Sequence, residues 1–329
     1  MAVGLVAVFC ALELGLSSQA FAVSPFNPDS NGQPAPKTSA ESTRPDPPML
    51  SHPDRLWALR RIDLPAGWTA RSSPDVIVAI LDTGIDSQHE ELAGKVSAEV
   101  NFTDSPTVGD INGHGTRIAG IIAGSGNNSL GIAGVAPNAR LLNVKVADDF
   151  GVCNAEAVAR GILWAVDHGA NVINISLEVR DPSTALENAV DYAWSHGTVI
   201  VAAAGNDAGS TPVYPAYYSV AISVAATGPD DELAPLSNHG DWVDMAAPGL
   251  NIYSTTPGNG YGYESGTSFA AAYVSGLAAL ALGTVTDEDS DGRLNDEVRT
   301  AIENSCDRIA ASGVGHGRVD AARLLQARQ

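Results

Sequence analysis

The stretch Val76-Ile-Val-Ala-Ile-Leu-Asp-Thr-Gly-Ile-Asp86 decides the fold class of this 329-residue chain. Its first six residues are all apolar and mostly β-branched, which is typical of a strand that is buried on both faces. Asp82 follows where the strand ends, and Gly84 then allows a tight turn. The stretch therefore predicts a central strand of a parallel sheet, with an acidic side chain at the carboxyl end, where the active sites of such sheets lie.

Further short apolar runs rich in β-branched residues alternate with stretches of helical periodicity along the rest of the chain. Strands are expected at 76–81, 141–146, 172–177, 199–204 and 221–226, and helices at 114–123, 155–168, 184–196, 268–282 and 295–304. Alternating buried strands and helices predict an α/β fold, namely a three-layer, doubly wound, mostly parallel β-sheet with helices on both faces.

The composition excludes several classes of protein. Hydrophobic residues make up 44% and charged residues 17% of the chain, which rules out a wholly disordered protein. Eighteen Lys and Arg against 38 Asp and Glu give a formal charge of −20. Because binding to phosphates requires a basic face, we expect no nucleic-acid partner.

The first 52 residues differ from the rest of the chain. Residues 2–16 are apolar except for Glu13, and small residues follow up to Ala22, so residues 1–22 are predicted to be a signal peptide. A retained anchor and a buried helix are the alternatives. Residues 23–52 are rich in Pro and polar residues, which predicts a linker or a short pro-segment. The expected folded domain is 53–329, secreted to the extracellular space or the periplasm and without a membrane span in its mature form.

Four polar residues are candidates for catalysis, and each has a structural alternative. Asp82 ends a strand, and His114 lies between two glycines where a helix begins; Asp is also a common helix cap, and a single His is usually structural. Ser268 lies at the start of a helix, where free N–H groups stabilise negative charge, although Ser is also a frequent cap. Asn206 follows the strand at 199–204, where it could donate a hydrogen bond or simply form a turn.

Taken together and in this order, the four residues resemble the subtilisin-like (S8) serine peptidases, most closely the thermitase-type branch. The resemblance runs from about Leu56 to Leu325. It is carried by 80–86 (ILDTGID), 114–116 (HGT), 127–137 (NNSLGIAGVAP), 202–206 (AAAGN), 214–218 (YPAYY), 246–249 (AAPG) and 266–268 (GTS).

The resemblance implies a subtilisin-like fold and a monomeric serine endopeptidase that acts on proteins or peptides. Ser268 would be the nucleophile, His114 the general base and Asp82 the residue that orients it. Asn206 would donate to the oxyanion. A peptidase-like protein that only binds peptides, and an esterase or a processing enzyme with one target, remain alternatives.

Substrate is expected to add as a strand between two segments, one containing Gly151 and the other Ser176 and Leu177. The family usually has two glycines after Ser-Leu, whereas this chain has Glu178 and Val179. Glu178 therefore either narrows the first specificity pocket, attracts a basic substrate side chain or is an ordinary solvated charge. Arg117 replaces a usual second His, and Ala272-Tyr273 replaces Pro-His; neither position transfers a proton.

The loop 126–132 resembles the calcium loop of subtilisins. The resemblance implies a structural Ca²⁺ held by Glu91, Asn128, Leu130 and Ile132, with Asp54 as a further ligand. Glu91 is longer than the Asp usually found at its position. The alternative is a turn rich in Gly and Asn.

Two further features bear on metals and redox chemistry. Residues 287–295 match the first nine positions of an EF-hand loop, but position twelve is Val298, so an acidic surface loop is favoured over a calcium site. Cys153 and Cys306 would remain after signal removal, and we expect neither a disulfide between them nor a nucleophilic role for Cys153.

Overall fold

The computed structural model describes residues 6–7, 53–64, 76–126 and 128–326. Apart from residues 6–7, the expected signal peptide (1–22) lies outside this part of the chain, as does the expected linker (23–52). None of the described helices is long and apolar enough to cross a membrane.

Strands of the described residues fall into one large sheet and two small pairs. In chain order the strands are β1 (Val6–Ala7), β2 (Ile77–Asp82), β3 (Val96–Asn101), β4 (Arg140–Lys145), β5 (Val152–Cys153), β6 (Val172–Ile175), β7 (Val199–Ala203), β8 (Ile222–Thr227), β9 (Met245–Pro248), β10 (Ile252–Thr256) and β11 (Gly260–Glu264).

The large sheet has seven strands in the order β3-β4-β2-β6-β7-β8-β9, and every neighbouring pair is parallel. In register, Leu81 of β2 lies between Val144 of β4 and Ile175 of β6. After β2 the chain places β3 and β4 on one side of it and then β6, β7, β8 and β9 on the other, so the direction of strand addition reverses at β2. Such a reversal opens a crevice at the carboxyl ends of the strands, which is where Asp82 lies.

Helices cover both faces of the sheet, which confirms the predicted α/β fold. They are α1 (Pro53–Arg61), α2 (His114–Ala123), α3 (Ala155–Asp167), α4 (Thr184–Ser195), α5 (Thr267–Ala281), α6 (Asn295–Ser305) and α7 (Ala321–Gln326).

Side chains of β2 alternate between two cores because successive residues of a strand point to opposite faces. Val78 and Ile80 belong to the core that includes residues of α2 and α5. Ala79 and Leu81 belong to the core formed with α3 and α4. The sheet is therefore the middle of three layers, as predicted.

Helix α5 is buried along its entire length. Its small residues allow close packing: a Cβ on Gly276 would lie only 2.5 Å from the Cβ of Val135. The helix begins at the carboxyl edge of the sheet, where Ser176, just after β6, donates from Oγ to the Ser268 carbonyl at 3.2 Å. The fold thus brings the start of α5 to the crevice beside β2.

The predicted strands and helices are all present, with ends within two residues of the expected positions. Strands β3 and β9, which border the sheet, and the antiparallel hairpin β10–β11 are additions that the sequence pattern did not predict. The two-residue strand β1 pairs antiparallel with β5, Val6 opposite Cys153 and Ala7 opposite Val152.

Candidate active site

Asp82 and His114 form a buried pair in the crevice. Asp82 is the last residue of β2 and is inaccessible to solvent, while His114 is the first residue of α2 and is 6% exposed. His114 Nδ1 lies 2.8 Å from Oδ1 and 3.0 Å from Oδ2 of Asp82. A carboxylate on Nδ1 fixes the tautomer, so that the lone pair of Nε2 is available to accept a proton.

Glycines allow the two elements to approach so closely. A Cβ on Gly115 would lie 2.1 Å from the Gly84 carbonyl oxygen and 3.1 Å from the Asp82 Cβ. Gly84 and Gly113 have φ angles of 115° and 100°, a region that side chains disfavour. The glycines around His114 are therefore required by the contact between β2 and α2.

A second buried acid, Asp110, holds the start of α2 in place and was not predicted from the sequence. Its Oδ1 accepts from Thr83 Oγ1 and the Gly113 amide, and its Oδ2 accepts from the amide and hydroxyl of Thr116. Thr83 Oγ1 in turn accepts from the Gly115 amide. The residues on either side of His114 are thus tied to Thr83, the residue after Asp82.

Lys145, at the end of β4 beside β2, is fully buried. Its Nζ donates to the Thr83 carbonyl and pairs with Asp149 Oδ1 at 2.8 Å. The hydrogen bond from Lys145 lowers the pKa of Asp149. The sequence pattern predicts a strand at 141–146 that includes Lys145, but nothing in the sequence indicates that the charged group of Lys145 is buried.

The environment of His114 favours its protonated form. Burial acts to lower its pKa, but the charge and hydrogen bond of Asp82 outweigh burial and raise the pKa to about 9. The charges of Glu264 and Asp110 act in the same direction. His114 can therefore take up a proton readily and hold it as an imidazolium.

Ser268 and Asn206 lie at the same edge of the sheet. Ser268 is the second residue of α5, and its Oγ donates to the Ser176 carbonyl at 3.2 Å. Its neighbour Phe269 packs against the His114 ring, with centroids 5.9 Å apart. The Asn206 side-chain oxygen accepts hydrogen bonds from the backbone amide and the hydroxyl of Thr267, at 2.9 and 3.1 Å. The side-chain nitrogen of Asn206, Nδ2, has no hydrogen-bond acceptor among the described residues.

A narrow cavity next to Ser268 contains three of the predicted substrate-binding residues. The cavity is about 20 Å³ and is lined by Ser176, Leu177, Glu178, Ala203, Gly205, Asn206, Asp207, Thr267 and Ser268. The fourth predicted residue, Gly151, lies apart from this cavity, in a turn before β5 with φ of 80°. Beside it, the Phe150 side chain is 83% exposed.

The donor chemistry around Glu91 does not fit the expected calcium ion. Glu91 is fully buried, and its oxygens accept hydrogen bonds from Asn128 Nδ2 at 2.8 Å, the Ile132 amide at 2.9 Å and the Tyr261 hydroxyl at 3.2 Å. The Asn128 oxygen accepts from the Leu130 amide. A calcium ion requires oxygen atoms directed at it, whereas here N–H and O–H groups are directed at the carboxylate. The side chain of Asp54 lies outside the described part of the chain.

The acidic loop after α5 is on the surface. Asp287, Asp289 and Asp291 are exposed, and one carboxylate oxygen from each lies within 4.8 Å of the others. The loop's own amides donate to them; for example, Asp287 accepts from Ser290 and Gly292.

The other residues noted in the sequence have structural roles. Arg117 pairs with Glu264 at 2.8 Å, and Ala272 and Tyr273 are buried within α5. Cys153 and Cys306 are both free thiols, as expected, and burial raises the pKa of each to about 12. A thiol with such a pKa is almost entirely protonated near neutral pH and is a poor nucleophile.

Comparisons with known proteins agree with this geometry. Residues 73–317 match the model of the subtilase family. Thermitase of Thermoactinomyces vulgaris is 44% identical over 285 residues, which cover 86% of this chain and 99% of thermitase. Subtilisin Savinase of Lederbergia lenta is 38% identical over 268 residues, or 80% of this chain and 96% of the relative.

Among solved structures, a protease of Pseudoalteromonas arctica PAMC 21717 superimposes on this chain with a TM-score of 0.77 and 30% sequence identity. The superposition covers 87% of this chain and 99% of the chain of that protease. Family, relatives and fold all agree with the thermitase-type resemblance. The chain belongs to the subtilase family and is a subtilisin-like serine endopeptidase.

Proposed function

We propose that this protease cleaves peptide bonds through an acyl-enzyme, with Asp82, His114 and Ser268 as the triad and Asn206 as an oxyanion donor. The observation that carries the proposal is the buried Asp82–His114 pair, 2.8 Å between Nδ1 and Oδ1, at the sheet edge where α5 begins with Ser268.

Acylation transfers one proton through His114. Ser268 Oγ attacks the carbonyl carbon of the scissile bond while its proton passes to Nε2. His114 then gives this proton to the leaving amine, the C–N bond breaks, and the acyl group remains on Ser268. Water then attacks the acyl carbonyl carbon and gives a proton to His114. His114 returns this proton to Ser268 Oγ as the bond between Oγ and the acyl group breaks, which releases the acid product. Asp82 stabilises the imidazolium, in line with the raised pKa of His114.

Attack requires the Ser268 hydroxyl to turn away from the Ser176 carbonyl, to which it donates in the free protein. Catalytic hydrogen bonds are often loose without substrate and tighten when it binds. Rotation about χ1 of Ser268 releases Oγ from this hydrogen bond and redirects it.

The oxyanion is stabilised by groups that are already oriented. Thr267 holds the oxygen of the Asn206 amide, which leaves Nδ2 to donate into the crevice. The Ser268 amide at the start of α5 adds a second donor and the positive end of the helix dipole. Loss of the corresponding Asn in subtilisin costs about 10²–10³ in turnover.

Substrate binds as an added strand, with Gly151 and Val152 on one side and Ser176 and Leu177 on the other. The edge of β5 accepts such a strand in the structure itself, where Val6–Ala7 of β1 pairs with it. Backbone pairing of this kind supplies affinity with little dependence on sequence, so the side-chain pockets determine specificity.

The enzyme acts as an exported monomer. Support comes from the apolar residues 2–16 followed by small residues up to Ala22, and from the net charge of −20, which opposes self-association. Sequencing the N-terminus of protein recovered from the medium or periplasm tests removal of residues 1–22; a cytoplasmic protein that retains Met1 would contradict export.

A fluorophosphonate probe tests the catalytic proposal, since it reacts covalently with an activated serine. Wild-type protein should be labelled, and Ser268→Ala should not. Ser195→Ala removes an exposed helix serine and should be labelled like the wild type. Absence of labelling in folded wild-type protein would contradict the proposal and favour a protein that only binds peptides.

A further inference from the structure

The cavity beside Ser268 is too small for a large side chain. Its volume is about 20 Å³, and a single water molecule already occupies roughly 10–15 Å³ by this measure. Because the cavity adjoins both Ser268 and Asn206, it lies where the side chain of the residue that supplies the scissile carbonyl (P1) enters. The walls leave room for only one or two non-hydrogen atoms.

Glu178 closes this cavity. Its side chain is only 12% exposed, and a Cβ on Gly205 would lie 2.6 Å from its Oε2. The carboxylate therefore lies directly on the backbone of Gly205, the residue before the oxyanion Asn206. Gly205 has φ of 97° and no side chain, which permits this contact.

Neighbouring groups hold Glu178 in place. Arg180 Nη2 lies 3.5 Å from its Oε1 and 2.9 Å from Asp207 Oδ2 at the cavity wall. The intervening residue, Val179, forms two backbone hydrogen bonds of 2.8 Å with Tyr214, which fix the segment that carries Glu178.

We propose that Glu178 is a specificity-determining residue, which closes the P1 pocket and restricts substrates to Gly, Ala or Ser at P1. The inference rests on the proposed function. A basic P1 residue is disfavoured because Arg180 already faces the Glu178 carboxylate and the cavity has no room for a Lys or Arg stem. The closing group is thus a side chain, and its size rather than its charge sets the preference.

Three peptide p-nitroanilides that differ only at P1 (Ala, Phe or Lys) test the inference, with active enzyme counted by fluorophosphonate labelling. The wild type should prefer Ala by at least about 100-fold in kcat/KM, since even one methylene changes selectivity about 10–200-fold. Glu178→Gly should raise kcat/KM for Phe at least about 10-fold relative to Ala, because it opens the cavity.

Two control variants separate size from charge. Glu178→Gln keeps the volume and should retain the preference for Ala, whereas Asp191→Asn removes an exposed charge of α4 and should match the wild type. Preference for Lys that is lost in Glu178→Gln would overturn the inference, as would an unchanged Phe-to-Ala ratio in Glu178→Gly. Failure of the wild type to be labelled contradicts the proposed function instead, so the two results are distinct.

Discussion

We expect the stability of this protease to depend on the Glu91 carboxylate and not on calcium at the loop 126–132. Glu91→Ala removes the acceptor of hydrogen bonds from Asn128 and Ile132, whereas the Tyr261 hydroxyl keeps its 2.7 Å hydrogen bond to Glu90. Each buried donor left without a partner costs about 1–3 kcal/mol, so the two together cost about 2–6 kcal/mol. For a domain of this size, that loss lowers Tm by about 4–24 °C.

Thermal unfolding with EDTA or with added calcium measures the effect. An active-site-blocked form prevents self-digestion during the measurement. Wild-type Tm should be the same in both solutions, and Glu91→Ala should have the same lower Tm in both. Asp191→Ala removes an exposed carboxylate of α4 and should shift Tm by no more than about 2 °C, the effect of an ordinary surface substitution.

One result would refute the reasoning. If EDTA lowers the Tm of the wild type to the value of Glu91→Ala, and calcium restores it, a cation contributes the stability at this loop. The hydrogen bonds to Glu91 would then not be what stabilises this loop. Glu91→Asp gives a further check, because its shorter side chain keeps the charge but moves it away from the Ile132 amide.

Three other predictions concern the residues around the candidate active site. In the wild type, kcat/KM should rise with pH to a plateau, with a midpoint near the His114 pKa of about 9, because only neutral imidazole is a base. In Asp82→Asn the midpoint should fall, since only the charges of Glu264 and Asp110 then oppose the effect of burial, and kcat should drop about 10⁴-fold; equal midpoints in pH–rate profiles would contradict this. Asn206→Leu should lower kcat about 10²–10³-fold with little change in KM, and a change in KM alone would exclude the oxyanion role. Gly115→Ala should destabilise the protein by more than about 3 kcal/mol in urea unfolding, because its Cβ meets the Gly84 carbonyl; wild-type stability would refute that contact.

The centre of the sheet was predictable from the sequence because its strands are apolar on both faces. The border strand β3 was not, since residues such as Ser97 and Glu99 leave it only partly buried and give it no continuous apolar run. Strand β9 is four residues long and ends in Pro248, which makes it too short to show a period. Strands that are both long enough and buried on both faces could thus be predicted here, whereas short or partly exposed strands could not.

The candidate catalytic residues could be predicted because strand ends and helix starts meet at one edge of a parallel sheet. The internal roles of Asp110 and Lys145 could not, because they depend on partners from other segments, such as Thr116 and Thr83. Glu91 shows the same limit: its sequence position matched an expected metal ligand, while the contacts that decide its role come from Ile132 and Tyr261.

The wide spacing of the active-site residues has a consequence for when the enzyme becomes active. Asp82 and His114 come early in the chain, but α5, which carries Ser268, packs against β6, β7 and β8 and follows them all in sequence. Contacts between such distant segments form late and slowly in folding. If Ser268 is the nucleophile, as proposed above, a growing or partly folded chain lacks it at the crevice, and we expect proteolytic activity to begin only after the sheet is complete.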